Sequence, residues 1–506
     1  KWVKIAVSES GVYKLTHKFL ASLGFKDPSK VRLYGYGGAL LPETNLHELT
    51  DDLPEQQLWR ADSYMLFYAQ GPVAWSRNFD GEFIHTVNTY SDHGYYFITE
   101  SDSTDLLSFA VESTDSVIGT NIIENYPEYQ VYDPDDYSWY HSGRMFYDAD
   151  AAPIRNISFN TPDLLAGSVR VRVSYAANST EGSYLKVGLN NLNPATKYIK
   201  ALSSNSVASV VEDKFDMESS ATDRSVVHLE YSAPGGSEGR VDFVSLNYKR
   251  ALKMSGSYMT FRADEMTNNA TFCIENATAD MVVWRRSSNG EYSVLPSYYQ
   301  DGVLKTYSST VKSTDEFIAV KTKSTFKEPI VDNANLRNQN LHAYSGVDMV
   351  IIVPQSGILT EQANRLAEFH RITDSLCVVV VAADEIYNEF SSGTPDATAY
   401  RRFMKMLYDN AESGNEPRYL LLFGDGAWDN RMRTTEWKGN TPKDYLLCYE
   451  SKNSVSHVSS FVMEDYFGLL DDNEGNNLLR EKSDIAIGRL PVKSEAEAEI
   501  VVNKIV

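Results

Sequence analysis

VVVVAADEIYNEFSSGTPDATAYRRFM, residues 378–404, is the stretch that decides the fold of the last third of the chain. Its opening run, Val378–Val381, is β-branched, uncharged and short, which is typical of a strand that is buried on both faces. A polar turn at 391–395 follows, and a helical pattern begins after it. The stretch therefore predicts the strand, loop and helix of an α/β unit.

The predicted loop carries several carboxylates. In an open parallel sheet, ligands bind at the loops that follow the carboxyl ends of the strands. Asp384, Glu385 and Glu389 are predicted to lie in this loop, and Asp396 comes just before the helix. Because the loop offers no nucleophile, we interpret it as one wall of a site whose reactive groups lie elsewhere, and its acidic residues as site-wall or structural residues.

Two further aspartates follow predicted strands. Asp425 comes directly after the apolar run Tyr419–Phe423. It could act at the edge of the sheet, or it could cap the loop by bonding its own backbone, and the sequence leaves both open. Asp465 belongs to a third strand-end loop, 465–472.

Alternation of strand and helix begins at about residue 346. Strand patterns at 349–353, 377–382 and 419–423 are separated by helical patterns around 359–370 and 399–407. This order predicts a parallel sheet. Further strand candidates are 461–470 and 484–487, and Glu495–Val506 begins another helix.

The remaining sequence predicts β structure. Residues 1–100 read as a small β-rich domain, with Trp2–Leu15 as a β-hairpin. Residues 101–150 form an acidic and aromatic connection. Short strands separated by turn residues from 151 to 330 predict a β-sandwich of the jelly-roll kind, and 322–345 is read as a polar linker. We predict that 331–506 is the first half of a larger α/β domain and that Val506 ends a fragment.

Composition limits the function classes. The chain has 506 residues and a net charge of −22, which argues against nucleic acid as a partner. Its three cysteines are too few and too widely spaced for a disulfide framework or a metal cluster. No run of 18 apolar residues occurs, so no transmembrane helix is expected. No signal peptide is visible, and we expect that one has been removed.

An acidic loop could hold a cation. Asp471, Asp472, Asn473 and Glu474 concentrate oxygen ligands of the kind that calcium accepts. The spacing is not that of an EF-hand, and a solvated turn is the alternative. No other cofactor is required by the sequence.

Cys448 and His457 are the only cysteine and histidine that are close together in the late chain. A catalytic dyad would need the thiolate beside the imidazole. Cys448 lies in the apolar run Tyr445–Tyr449, however, which favours a buried thiol, and Cys377 is predicted to belong to the core of a strand. The G-x-S-x-G pattern of serine hydrolases is absent.

Several segments together resemble the gingipain-type cysteine peptidases. They are Ile386–Gly393 with Asp396, Leu421–Gly426, Asp465–Gly468 and Ser483–Leu490, in this order along the chain. Each segment alone is weakly specific. Trp2–Leu15, Arg60–Pro72 and Asn88–Thr99 resemble the N-terminal region of the sortase branch of this family, which serves the type IX secretion system.

The resemblance implies a caspase-like α/β fold and a cysteine nucleophile with a histidine base. The family carries these two residues in motifs that do not occur here. The resemblance thus implies that both lie downstream of Val506, that no catalytic residue can be assigned in this chain, and that the chain alone is inactive without the remaining half of the domain.

The sortase branch implies a surface enzyme of the bacterial outer membrane. Such enzymes cleave a C-terminal export signal from secreted cargo and can transfer the new end onto anionic lipopolysaccharide, beside other outer-membrane secretion components. Two alternatives stay open: a non-catalytic docking or adhesin protein with a degenerate peptidase-like domain, and a secreted general protease with an inhibitory β-rich region.

Overall fold

Strand follows strand through the first two thirds of the chain, and helices alternate with strands only after residue 349. The computed structural model describes residues 1–46, 52–103, 105–113, 119–190 and 192–506. Positions 104 and 114–118 of the predicted acidic connection lie outside the described residues. No helix among the described residues is long and apolar enough to cross a membrane.

The N-terminal region is antiparallel β structure with one short helix. Thr16 caps that helix, because its hydroxyl accepts a hydrogen bond from the Phe19 N–H. The elements are β1 (Trp2–Val7), β2 (Gly11–Thr16), α1 (His17–Ser22), β3 (Val31–Tyr34), β4 (Glu55–Gln56), β5 (Trp59–Arg60), β6 (Tyr64–Ala69), β7 (Val73–Arg77), β8 (Phe83–Val87) and β9 (Gly94–Glu100), with a 3₁₀ turn at Pro28–Lys30.

Pairing in this region is long-range. The predicted hairpin is wrong, because β1 pairs with β9 whereas β2 pairs with β6 in a separate sheet. The predicted polar linker is also wrong in part, because Ile330–Leu336 forms β27, an antiparallel edge strand on β1. The main sheet has the order β27-β1-β9-β3-β4. A strand from the end of the β-rich part therefore completes the first sheet of the chain.

The middle of the chain contains one large sheet and two smaller ones. The large sheet has the order β16-β15-β18-β13-β19-β14-β17, with β12 also on β19. Its strands are β12 (Asn125–Tyr132), β13 (Ile154–Leu164), β14 (Gly167–Ala177), β15 (Ser183–Leu189), β16 (Leu192–Ile199), β17 (Ser209–Ser219), β18 (Thr222–Ser232) and β19 (Gly239–Ala251), with a 3₁₀ turn at Pro234–Gly236.

The two smaller sheets share one apolar core of their own. Their orders are β10-β23-β22-β26-β20 and β11-β21-β25-β24. The strands are β10 (Ala110–Val111), β11 (Asn121–Ile123), β20 (Tyr258–Phe261), β21 (Thr267–Ile274), β22 (Met281–Arg286), β23 (Tyr292–Val294), β24 (Ser297–Gln300), β25 (Val303–Val311) and β26 (Glu316–Lys321).

The last third is a parallel sheet in the order β29-β28-β30-β31, as the alternating pattern predicts. In β28, Val350 and Ile352 face one apolar core while Met349, Ile351 and Val353 face the other. The elements are β28 (Met349–Val353), α2 (Thr360–Thr373), β29 (Val378–Ala382), α3 (Ala383–Phe390), α4 (Ala397–Asp409), β30 (Tyr419–Phe423), β31 (Ala486–Leu490) and α5 (Glu495–Ile505), with 3₁₀ turns at Leu341–Ala343, Pro442–Asp444 and Glu464–Gly468.

Three local expectations in this third are corrected. α3 begins directly after β29, so Asp384, Glu385 and Glu389 lie on a helix and not in a loop. β29 is at the edge of the described sheet, so Val379 and Val380 are only half-buried. The predicted strand 461–470 contains a 3₁₀ turn instead.

The polar turn between α3 and α4 is buried against the N-terminal sheet. Ser392 has no exposed surface. Its hydroxyl donates to the Tyr95 carbonyl at 2.9 Å and accepts from the N–H groups of Tyr36 at 2.9 Å and Gly37 at 3.2 Å. The side chain thus supplies the partners that buried backbone groups need.

Thr394 and Asp396 continue this contact. The Thr394 hydroxyl donates to the Gly37 carbonyl at 3.0 Å. Asp396 caps α4 by accepting from the Thr398 N–H at 2.8 Å, and it also accepts from the Leu41 N–H at 2.9 Å. One turn therefore fixes both the start of α4 and the position of the N-terminal region.

Glu389→Gln is expected to destabilise the protein. The buried carboxylate accepts from the Leu341 N–H at 2.8 Å and from the Gln339 side chain at 2.8 Å, and it lies 2.7 Å from His342 Nδ1. An amide retains one acceptor oxygen, so the loss should be about 1–3 kcal/mol of unfolding free energy, measured by urea unfolding. The exposed control Glu412→Gln should change it by less than about 0.5 kcal/mol. An equal effect of the two substitutions would contradict this role.

Candidate functional site

A cavity of about 280 Å³ lies at the carboxyl edge of the parallel sheet. Gln355, Ala383 and Asn430 line it, and they follow β28, β29 and β30, which are neighbours in the sheet. This is the position where open α/β sheets bind ligands. The other side of the cavity comes from the N-terminal region, β27 and a loop before residue 446: Lys4, Tyr90, Tyr95, Asp332, Lys443 and Tyr445.

Lys4 of β1 is a buried cation that lines this cavity. Its Nζ donates to Asn388 Oδ1 on α3 at 3.2 Å and lies 4.4 Å from the centre of the Tyr95 ring. Burial lowers the pKa of Lys4 to about 8, because the charged form is poorly solvated there, and the carboxylates of Asp332 and Asp384 act in the opposite direction. The N-terminal strand therefore places a titratable amine at the edge of the α/β sheet.

Gly393 allows this close approach. Its φ is +75°, a left-handed conformation in which a side chain is strained. A Cβ atom at this position would lie 2.7 Å from Lys4 Cε and 2.8 Å from Phe97 Cζ. The glycine in the turn is thus required both by the backbone and by the packing of β1 and β9 onto it.

The structure places Asp384 and Asp425 after strand ends at the carboxyl edge of the sheet and Asp465 in the 3₁₀ turn Glu464–Gly468. Asp384 is half-buried at the start of α3, and burial raises its pKa against the effect of the Lys4 charge. Asp425 accepts from the next N–H, that of Gly426, at 2.9 Å and pairs with Lys493 at 3.1 Å, so the local cap that the sequence left open is present. Asp465 is exposed. Their roles in a site stay predictions.

The other three predicted site-wall carboxylates, Glu385, Glu389 and Asp396, accept hydrogen bonds from within the protein. Glu385 accepts from the Ala382 N–H at 3.1 Å at the start of α3. Glu389 and Asp396 are buried and bind the backbone of Leu341 and Leu41, respectively. These carboxylates hold the elements around the cavity.

Arg489 is a positioning residue that the sequence reasoning did not single out. Its guanidinium donates to the carbonyls of Gly424 at 3.2 Å and Leu447 at 3.0 Å, and to Glu464 at 2.9 Å. It therefore ties the loop after β30 to two segments that follow it. An arginine within the β31 pattern was the available signal, because a charge that becomes buried usually has a partner.

The cysteines do not have the surroundings of a nucleophile. Cys448 is buried as predicted, and burial raises the pKa of its thiol to about 12. His457 is exposed and packs on the ring of Tyr140, with the ring centres 5.0 Å apart. Cys377 is exposed at the start of β29, so its predicted place in the core is wrong. Burial also raises the pKa of Cys273.

The acidic loop brings together a different set from the one predicted. Asp471, Glu474 and Asp484 each place one oxygen within 4.8 Å of the others. Burial raises the pKa of Glu474 and of Asp484, and nearby carboxylates raise both further, so a cation would relieve the repulsion. Asp472 pairs with Lys405 at 3.0 Å instead. Asn473 has a φ of +67° and donates its backbone N–H to Asn45.

Residues 342–506, which include this sheet edge, match the family model of Peptidase family C25. Together with the whole-length similarity described next, this match shows that the chain belongs to the gingipain family of cysteine peptidases. No curated protein matches the sequence.

Over its whole length the chain is similar to PorU of Porphyromonas gingivalis, in the crystal structure of the dimeric latent protein. The identity is 32%, the TM-score is 0.88, and the match covers 99% of this chain and 49% of that one. The chain thus spans about half the length of that relative. The predicted fold, with β-rich regions before a caspase-like parallel sheet, is confirmed.

Weaker matches include a cycloisomaltooligosaccharide glucanotransferase of Paenibacillus sp. at 8% identity and TM-score 0.17, covering 42% of this chain and 47% of that one. Another is the exo-beta-1,3-galactanase of Phanerochaete chrysosporium at 11% identity and TM-score 0.15. That match covers 48% of this chain and 69% of that one. At these TM-scores neither bears on the fold or the function.

The stability advantage of the wild type over Asp396→Asn should become smaller as the pH rises. Burial raises the pKa of Asp396 to about 6, above the value of about 3.9 of a free aspartate. The raised pKa contributes stability that is complete below about pH 4 and is lost as the pH rises through about 6. Since asparagine does not titrate, the wild-type advantage measured by urea unfolding should be larger at about pH 4.5 than at about pH 7.5. For the exposed control Asp62→Asn no such trend is expected, and a constant advantage at Asp396 would contradict the sign.

Calcium binding at the acidic loop stays a prediction that thermal unfolding can test. If calcium binds, a concentration one hundredfold above Kd should stabilise the protein by about 2.7 kcal/mol. Asp484→Asn should remove this gain, whereas Asp301→Asn, in an unrelated turn, should keep it. A gain that survives Asp484→Asn would place the ion elsewhere, and no gain in the wild type would exclude calcium here.

Proposed function

We propose that the protein containing this chain is a cell-surface cysteine peptidase of the sortase type. It cleaves the C-terminal export signal from cargo of the type IX secretion system and can transfer the cargo to anionic lipopolysaccharide. A covalent acyl-enzyme explains both outcomes, because a thioester can be taken by water or by an amine.

The single observation that supports this function best is the similarity to PorU along the whole chain at 32% identity. The family match to residues 342–506 supports the peptidase class. The nucleophile is not proposed among the three cysteines of this chain, since burial raises the pKa of the Cys448 and Cys273 thiols and Cys377 lies at the start of β29, away from the carboxyl edge.

The β-rich regions have a part in this proposal. β1 contributes Lys4 to the cavity, and β27 contributes Asp332. We propose that the N-terminal region shapes one side of the substrate cleft and docks outer-membrane secretion components on its outer surface. The proposed location is the bacterial outer membrane surface.

Disruption of the gene in its host should leave secreted cargo with its C-terminal export signal, as read by mass spectrometry of the intact cargo. The wild-type gene should restore removal of the signal. Arg489→Gln should restore it less well, because the loops after β30 lose hydrogen bonds to two carbonyls. A matched control is Arg418→Gln, which removes the same charge from a surface ion pair with Asp348 and should restore processing fully.

The same experiment separates the proposed activity from a docking or adhesin role. If cargo loses its signal normally in the disrupted strain, the sortase function is wrong. Reduced attachment to surfaces with normal cargo processing would favour an adhesin instead.

A further inference from the structure

Two cavities meet at the tip of the hairpin formed by β22 and β23. One measures about 370 Å³ and the other about 470 Å³. Arg286 and Ser288 line both of them. Residues of β7, β8 and the segment before β26 line the smaller cavity together with the hairpin tip, so the groove lies where the N-terminal region meets the two smaller sheets.

The smaller cavity is positively charged, which is unusual in a chain with a net charge of −22. Its lining contains Arg77, Arg262 and Arg286 and one carboxylate, Glu316. Glu316 lies 2.7 Å from Arg262 and 3.5 Å from Arg286. One glutamate therefore faces two guanidinium groups, and the cavity keeps an excess of positive charge.

Two of the arginines are held in place by the protein. Arg77 donates to the carbonyls of Gly81 at 2.9 Å and Ala263 at 3.0 Å, and its nearest carboxylate, Asp264, is 4.0 Å away. Arg262 bonds Glu316 and the Tyr129 hydroxyl. These two form a fixed wall, as pre-organised anion sites require.

Arg286 is held by fewer contacts than Arg77 and Arg262. Within the described part of the chain, the only hydrogen bond or ion pair of its side chain is the 3.5 Å contact between Nη1 and Glu316. The side chain is 41% exposed. Its remaining donors are available to a ligand in either cavity, and the exposed hydroxyls of Ser76, Ser288, Ser313 and Thr314 surround the smaller one.

The larger cavity is polar and aromatic. It is lined by Tyr36, Tyr68, Tyr96 and Tyr292 together with side-chain amides, among them Gln70. Its two carboxylates have partners, because Glu55 pairs with Arg32 at 2.7 Å and Glu291 accepts from Asn289 at 2.8 Å. This side suits an uncharged ring that carries hydroxyl groups.

We propose that this groove binds a small phosphomonoester, with the phosphate against Arg286 and the arginine wall and the polar ring in the tyrosine-lined cavity. Guanidinium and hydroxyl donors match the oxygens of a tetrahedral anion. The proposal goes beyond the peptidase function and does not depend on it.

Isothermal titration of the purified protein with inorganic phosphate, glucose 6-phosphate and glucose tests the site. Glucose 6-phosphate should bind more tightly than phosphate, glucose should not bind, and affinity should fall as salt is added. Arg286→Gln and Ser288→Asp should each weaken binding about tenfold or more, because one removes a charged donor and the other adds a carboxylate. The distant control Arg418→Gln should leave binding unchanged.

Each contrary result would overturn a particular part of the proposal. Binding that survives both groove substitutions would show an adventitious ion only and overturn the site. Equal affinities for phosphate and glucose 6-phosphate would overturn the role of the tyrosine-lined cavity. No binding of either phosphate compound to the folded wild type overturns the proposal. If Arg286→Gln fails to unfold cooperatively, Ser288→Asp decides, since its exposed side chain is not needed for packing.

Discussion

The arrangement of the chain depends on one buried polar turn, Ser391–Asp396. Buried hydroxyl and backbone groups must find hydrogen-bond partners, and here those of Ser392, Thr394 and Asp396 include residues more than 290 positions earlier. Ser392 and Gly393 also adopt left-handed conformations, which are uncommon for a residue other than glycine. The α/β sheet is thus fixed onto the N-terminal sheet by directional bonds as well as by apolar contact.

This constraint brings distant segments to one edge of the sheet. Because the turn holds β1 against α3, Lys4 reaches Asn388, and the cavity at the carboxyl ends of the strands gains a wall from the start of the chain. β27 reinforces the arrangement, since it comes at the end of the β-rich part, pairs with β1 and is followed, after the 3₁₀ turn Leu341–Ala343, by β28. The N-terminal region is therefore part of the cavity and not a separate attachment to it.

Local pattern predicted the elements better than their pairing. The uncharged runs of β28 and β30 and the short strands of the middle region are where the sequence places them. The hairpin of β1 and β2 and the polar linker at 322–345 were wrong because strand pairing depends on partners far along the chain. α3 was read as a loop because acidic and polar residues at a helix start resemble those of a turn.

The sequence by itself determined the fold class and the family, because hydrophobic periodicity and short motifs are local properties of the chain. Only the tertiary structure decided what each polar residue does. Glu389 and Asp396 became internal anchors, Asp484 joined the acidic loop in place of Asp472, and Lys4 became a buried cation. The reason is physical: the role of a charge depends on the partners and the solvent around it, and folding brings these from segments that no local pattern connects.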